Sequence, residues 1–258
     1  LFVKDTSNVS KYKKNIVVFG NSSFKKKFNI KYFNINLSNF KFTSKSKQYV
    51  NKFIKIEEKH PSDLIEIHNR PNYLSDIVKS LGKKNLVLYF HNDPLTMTGS
   101  KSINERKFLL KHCYKIIFNS NWSKKRFLEG MHDKFVNSEK LLVVFQSAKK
   151  LSINIKKKKK EITFVGKLNR SKGYDIFGAA VLKILNKHTD WKANVVGDEQ
   201  RDKIDFKHKN LKNYGFLSHK KVLEIYKRSS IAVVCSRWEE PFGRTSLEAS
   251  SAGCAVII

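Results

Sequence analysis

The stretch Ser236-Arg-Trp-Glu-Glu-Pro-Phe-Gly-Arg-Thr-Ser-Leu-Glu-Ala-Ser-Ser-Ala-Gly-Cys-Ala-Val-Ile257 decides how this chain is read. An apolar, β-rich run from Ile231 to Cys235 precedes it, and Pro241 and Gly243 punctuate a loop. A helix is predicted from about Arg244 to Ser251, followed by a strand from Cys254 to Ile258. Strand, loop, helix and strand in that order make a βα unit of a parallel sheet. A helix start offers unpaired N–H groups and a partial positive charge, so the backbone of Phe242, Gly243, Arg244 and Thr245 can receive an anionic or polyhydroxyl ligand. Gly243 lets that ligand come close. Glu240 in the loop and Glu248 inside the helix are two acceptors eight positions apart, suited to two hydroxyl-bearing parts of one extended ligand.

Working outward, the same alternation fills the chain. In the first half the candidate strands are Asn15 to Phe19, Asp63 to His68, Asn85 to His91, Tyr114 to Asn119 and Lys140 to Phe145. Leu74, Ile77, Val78 and Leu81 fall at helical spacing between Pro71 and Gly82, an amphipathic helix with both punctuation marks in place. From Ser147 to Glu161 the apolar pattern lapses and ends in five lysines, Lys156 to Lys160. A block of like charge repels itself and stays solvated, so this stretch is read as the connection between a domain of residues 1–150 and one of residues 151–258. The second series runs through a strand from Ile162 to Val165 and a helix carrying Phe177, Ala180, Val181, Ile184 and Leu185. After it come a strand from Ala193 to Val196, a short strand near Leu211 to Tyr214 and a helix capped by Ser218. The predicted class is α/β, two Rossmann-like domains facing a cleft, with ligands beyond the carboxyl ends of the strands. The chain opens on Leu1 rather than Met and stops inside a strand, so both domains are expected to be incomplete.

Composition narrows the partners. The formal net charge of +30 invites a nucleic-acid or anionic-membrane reading. Lys outnumbers Arg several-fold and is spread throughout with Asn, Ile and Phe, as biased coding would produce, whereas nucleic-acid surfaces lean on Arg and stacking aromatics. No nucleic acid is expected, and a loose attraction to an anionic membrane face stays open. There is neither a membrane-spanning apolar run nor a leader pattern, which places the chain in the cytoplasm or peripherally on the inner face of the membrane. Cys113, Cys235 and Cys254 are widely spaced in apolar surroundings and suggest neither disulfides nor a zinc site.

Glu240-Pro-Phe-Gly-Arg-Thr-Ser-Leu-Glu248 resembles the E-x7-E signature of retaining GT-B glycosyltransferases, most closely family 4, the "group 1" transferases. Phe164-Val-Gly-Lys-Leu-Asn-Arg-Ser-Lys-Gly173 is similar to the segment that opens the family's second domain, where Gly166 precedes two basic positions. The resemblance implies that Lys167 and Lys172 clasp the donor diphosphate. Lys167 departs from the more usual Arg and loses its bidentate fork. By the same resemblance Gly166, Pro241, Phe242, Gly243, Arg244 and Thr245 line the donor, Glu248 accepts from the ribose and Glu240 contacts the transferred sugar. The basic pair and the helix start would stabilise the departing diphosphate, with no metal and no cofactor besides the nucleotide-sugar co-substrate. Gly197 and the Tyr214-Gly-Phe-Leu-Ser218 turn fall where the family contacts the base.

In the first half, Leu88-Tyr-Phe-His-Asn-Asp-Pro94 ends a strand on His91, which resembles the family's histidine beside the donor sugar. His91, Glu240 and Lys172 are the catalytic candidates. Asn69, Arg70, Asn92 and Asp93 are candidate acceptor contacts; a loop-capping role is equally open for Asn69 and Arg70, and orienting the His91 ring for Asn92 and Asp93. The implied activity is transfer of a sugar, with retention, to a saccharide or lipid-linked acceptor in envelope polysaccharide or lipopolysaccharide synthesis. The alternative from another class is a basic α/β module that binds nucleic acid or anionic membrane without chemistry. Within enzymes, the phosphorylase reading needs a pyridoxal-phosphate lysine and a longer chain, and an epimerase would not be expected to carry the Pro-Phe-Gly segment in this form.

Overall fold

The computed structural model describes residues 2–22, 29–38, 43–82, 84–132, 135–148, 150–199, 202 and 204–258. Contacts divide the chain into two compact units, Leu1–Val143 and Val144–Ile258. Lys149, in the polar stretch between the predicted domains, lies outside the described residues.

The first unit begins with α1 (Phe2–Val9), then the parallel pair β1 (Val17–Gly20) and β2 (Lys31–Asn34). The elements that follow are α2 (Lys45–Lys59), β3 (Ile65–His68), α3 (Leu74–Leu81), β4 (Leu86–Phe90), α4 (Ile103–His112), β5 (Lys115–Phe118), α5 (Asn121–Leu128) and β6 (Leu141–Val143). The strands β3-β4-β5-β6 form one parallel sheet in sequence order. Parallel strands need crossovers, and the helices between them supply these while covering the sheet. Leu86, Leu88 and Phe90 of β4, at the strand's period of two, pack with Leu74, Ile77, Leu109, Phe118 and Phe127 in one core.

The second unit runs β7 (Lys159–Val165), α6 (Tyr174–Lys187), β8 (Lys192–Val196), β9 (Leu211–Asn213), α7 (His219–Arg228), β10 (Ser229–Val233), α8 (Arg244–Ser251) and β11 (Ala255–Ile257). Its parallel sheet has the order β11-β10-β7-β8-β9. Ile162 and Phe164 of β7, with Ala193 and Val195 of β8, pack against Phe177, Val181 and Leu185 of α6. Residues of the opposite parity, Val165 and Val196, join Val222, Ile225 and Tyr226 of α7 and Ala249 of α8. Both faces are thus buried, the Rossmann-like arrangement predicted from the alternation.

The lysine run is a correction. Lys159 and Lys160 already belong to β7, and Lys158 is turned inward, its ammonium donating to Tyr226 O (2.8 Å), Ser229 O (2.8 Å) and Ala252 O (2.6 Å). Three carbonyls match the three protons of an ammonium, so one lysine of the run is held by fixed dipoles. Ser218 stands at the N-cap of α7, but its side chain makes no capping bond there.

Candidate functional site

The strand order β9-β8-β7-β10-β11 reverses direction between β7 and β10, and the crevice outside the carboxyl ends of two such strands is where open α/β sheets bind ligands. Here the two loops leaving β7 and β10 are laced together. After β7 a short 3-10 turn, Arg170–Lys172, is built on Asn169, whose side-chain oxygen accepts from Lys172 N (3.1 Å) and Ser171 Oγ (2.9 Å). Ser171 O in turn accepts from Arg237 N (3.0 Å) and Trp238 N (3.1 Å) of the other loop. The Arg237 guanidinium forks onto both oxygens of Asp175 (2.7 and 2.9 Å) and reaches Arg170 O (2.7 Å). That fork holds the Asp175 carboxyl below the usual carboxylate range. Gly173, at φ +71°, lies so near the β10 exit that a Cβ there would stand 1.8 Å from Cys235 O.

Between these loops lies a pocket of about 40 Å³ at the ends of β7 and β10. Gly166, Lys172, Ser236, Glu240 and Thr245 line its polar side. The Lys172 ammonium and Glu240 carboxylate form an ion pair, each side chain roughly a third exposed. Ser236 Oγ is 3.2 Å from both Glu240 Oε1 and Ser171 O, so its single proton serves one or the other. Thr245 belongs to the first turn of α8, which Gly243 opens at φ +73°. Glu248, one turn on, accepts from Arg244 Nε (2.7 Å). His219 Nε2 stands 3.0 Å from the same oxygen, within ion-pair range but without hydrogen-bond geometry. Glu240 and Glu248 therefore each face a cation. Lys167 is exposed, and its ammonium makes no ion pair among the described residues. Gly166 N donates to Val196 O (3.0 Å) and Gly197 N to Gly215 O (2.9 Å), which ties the ends of β7, β8 and β9 together.

Several other groups are set aside on geometry. Burial pushes the Cys113 thiol up to about 12 and also raises Cys235 and Cys254, so all three are thiols at neutral pH, poor nucleophiles. Among the described residues no group of three or more His, Cys, Asp or Glu is placed to hold a metal ion.

In the first unit, the ends of β3, β4 and β5 carry a second polar cluster. His91 N donates to Asn69 Oδ1 (2.7 Å), and Asn119 Nδ2 donates to His91 O (2.9 Å). The His91 ring stacks on His68, with His68 Nδ1 and His91 Nε2 3.0 Å apart, and the edge of Phe2 approaches it. Asn69 is at φ +55°, a left-handed turn that aims its amide at the β4 exit. Arg70 is exposed and donates to Asn69 O (2.9 Å); Asn92 is exposed. The Asp93 carboxylate is turned inward, accepting from Leu95 N (3.0 Å) and pairing with Arg126 (3.2 Å). Its bonds are those of a loop cap. His68, Ser236 and His219 were not singled out from sequence. His68 ends the predicted strand Asp63 to His68, next to the candidates Asn69 and Arg70, whereas no local pattern distinguishes Ser236 or His219 from other strand and helix ends.

The fold is that of the GT-B class, two Rossmann-like units, and solved structures of that class superpose on the chain. Anabaena HepE in complex with UDP-glucose matches at a TM-score of 0.70 with 17% identity, over 98% of this chain and 75% of that one. The lipopolysaccharide outer core galactosyltransferase WaaB matches at 0.61 with 17% identity, over 97% and 74%. Residues 145–258 match the family "Glycosyl transferases group 1". An uncharacterized 41.2 kDa protein of the cps region of Klebsiella pneumoniae is 25% identical over 61% of this chain and 54% of its own length. An uncharacterized glycosyltransferase of Methanocaldococcus jannaschii is 31% identical over 42% of this chain and 29% of its own length. The chain thus spans about half or less of the length of these curated relatives.

Proposed function

We propose that this chain carries the donor site of a glycosyltransferase that moves a sugar from a nucleoside diphosphate to a saccharide or lipid-linked acceptor. The observation that carries the reading is the pocket at the β7/β10 switch point. There a basic side chain, a carboxylate and the first turn of a helix converge on one small volume. The family match over residues 145–258 supports it.

In this reading Lys172 and Lys167, with the amides that open α8, receive the diphosphate and stabilise the negative charge that grows on it as the glycosyl bond breaks. Glu240 accepts from hydroxyls of the sugar and Glu248 from the ribose. The residues named supply the electrostatic assistance themselves, so the reading calls for no cofactor. His91, Asn69, Arg70 and Asn92, at the strand ends of the first unit, are proposed to serve the sugar and acceptor. Retention of configuration is inferred from the likeness of Glu240 to Glu248 to the retaining signature. An envelope polysaccharide or lipopolysaccharide product is supported by the cps-region relative and by WaaB among the structural neighbours. Loose contact with an anionic membrane face is proposed from the net charge of +30.

Donor turnover by the chain, as hydrolysis or transfer, tests the assignment. Lys172→Ala is expected to lower kcat by about 100-fold, the scale of losing one group that stabilises developing charge. Glu248→Ala is expected to act mainly through a raised KM. Undiminished turnover in both variants would remove the assignment.

A further inference from the structure

Lys172, which the donor reading assigns to the diphosphate, pairs with an anion of the chain itself: the carboxylate of Glu240. Ser236 Oγ lies 3.2 Å from that carboxylate and Arg244 Nε donates to Glu248, so both carboxylates of the segment are internally engaged. The pocket around the first pair is open to solvent, with both side chains roughly a third exposed, so an incoming anion can reach the Lys172 ammonium. A diphosphate paired with Lys172 competes with Glu240 for that ammonium, which leaves a carboxylate beside several new negative charges with its main partner shared or lost.

We infer that Glu240 is a specificity-determining residue that selects the intact sugar donor against the bare nucleoside diphosphate. The inference rests on the donor reading above. A nucleoside diphosphate without sugar pairs with Lys172 but strands Glu240, a repulsive contact that nothing offsets. A donor still carrying its sugar brings hydroxyl protons to the same carboxylate and restores its hydrogen bonds. The same group thus favours binding of the substrate and release of the spent nucleotide. Glu239, one position earlier, is exposed and does not line the pocket, so it supplies an equal charge without the contact.

Calorimetric titration of the full chain at fixed ionic strength tests this with UDP, GDP and ADP and their glucose conjugates. Glu240→Gln keeps the shape and removes the charge. It is expected to bind the preferred nucleoside diphosphate about two- to fivefold tighter, the scale of a partly exposed ion pair. It should bind the sugar conjugate no tighter than before, so the preference for the conjugate shrinks. Glu239→Gln should leave both affinities unchanged, and in a Lys172→Met background Glu240→Gln should gain less than it does in the wild type, because only the repulsion and not the competition for the ammonium is left to relieve. If the wild type binds a nucleoside diphosphate and Lys172→Met weakens it, yet Glu240→Gln binds no tighter, the selection role falls and the donor reading stands. An equal gain from Glu239→Gln would likewise overturn it, as a general effect of charge. If neither wild type nor Glu240→Gln binds any of the three, both readings fall together.

Discussion

Lys158 shows how much one side chain in this fold can hold. Its ammonium is half-buried and meets carbonyls from three places: Tyr226 near the end of α7, Ser229 at the start of β10 and Ala252 just past α8. Carbonyls at helix C-termini carry partial negative charge and lack intrahelical donors, so a cation there satisfies them and complements both helix dipoles. Lys158→Met keeps the stem and removes the donors. It is expected to lower the unfolding free energy by about 1–3 kcal/mol, against less than about 0.5 kcal/mol for exposed Lys156→Met. Urea unfolding of the two variants checks this, and equal costs would contradict it. The run of five lysines hid the special member, because the carbonyls that single it out come from residues about 70 to 90 positions away.

The laced loops after β7 and β10 are the element on which the pocket depends. Gly173→Ala would put a methyl group into Cys235 O at a left-handed φ, so a loss of about 1–3 kcal/mol or more is expected, read as a lowered Tm. A variant as stable as the wild type would show that the loops are not in this contact. The Arg237–Asp175 fork adds a pH dependence. The folded-state pKa of Asp175 is depressed, chiefly by its bonds to Arg237, so its contribution is present above the ordinary carboxylate pKa and is lost as pH falls through the depressed value. The protection factors of Arg237 N and Trp238 N, which compare their exchange with that of an unprotected amide at the same pH, are therefore expected to fall in Asp175→Asn at neutral pH and, in the wild type, only in acid. Unchanged protection in the variant would contradict the clamp. Strands of this unit were legible because β7, β8 and β10 are short apolar runs followed by polar loops, and the α8 segment was readable from its Pro and Gly punctuation alone. The helices α2 and α4 were not. In α2 the buried positions are Val50, Ile54 and Glu57, the last an acid bonded to Ser62, and in α4 Arg106 is buried with its guanidinium on Glu129 O (2.8 Å). A charged residue on the inward face breaks the apolar stripe from which a helix is read, although Ser102 and Glu105 form a complete capping box ahead of α4. In the site, Glu240 and Lys172 could be nominated from sequence, but their pairing could not, since 68 residues separate them.

At the scale of the whole molecule the charge of +30 is a physical property whatever its origin. No helix among the described residues is long and apolar enough to cross a membrane. Binding to vesicles of mixed neutral and anionic phospholipid is expected at low salt and should fall steeply as ionic strength rises and the Debye length shrinks from about 10 Å to about 3 Å. Co-sedimentation across a salt series reads this; absence of binding at low salt would remove the proposed membrane contact without touching the donor pocket. The central claim is that the β7/β10 pocket of the second unit receives a pyrophosphate-linked sugar. Thermal unfolding of the full chain against UDP-, GDP- and ADP-sugars is its most direct test, because a ligand of the folded state stabilises it by about 2.7 kcal/mol at 100 times its Kd. The account predicts that at least one of these sugars raises Tm with concentration and that Lys172→Ala abolishes the rise; no rise with any of them, or an equal rise in the variant, would contradict it.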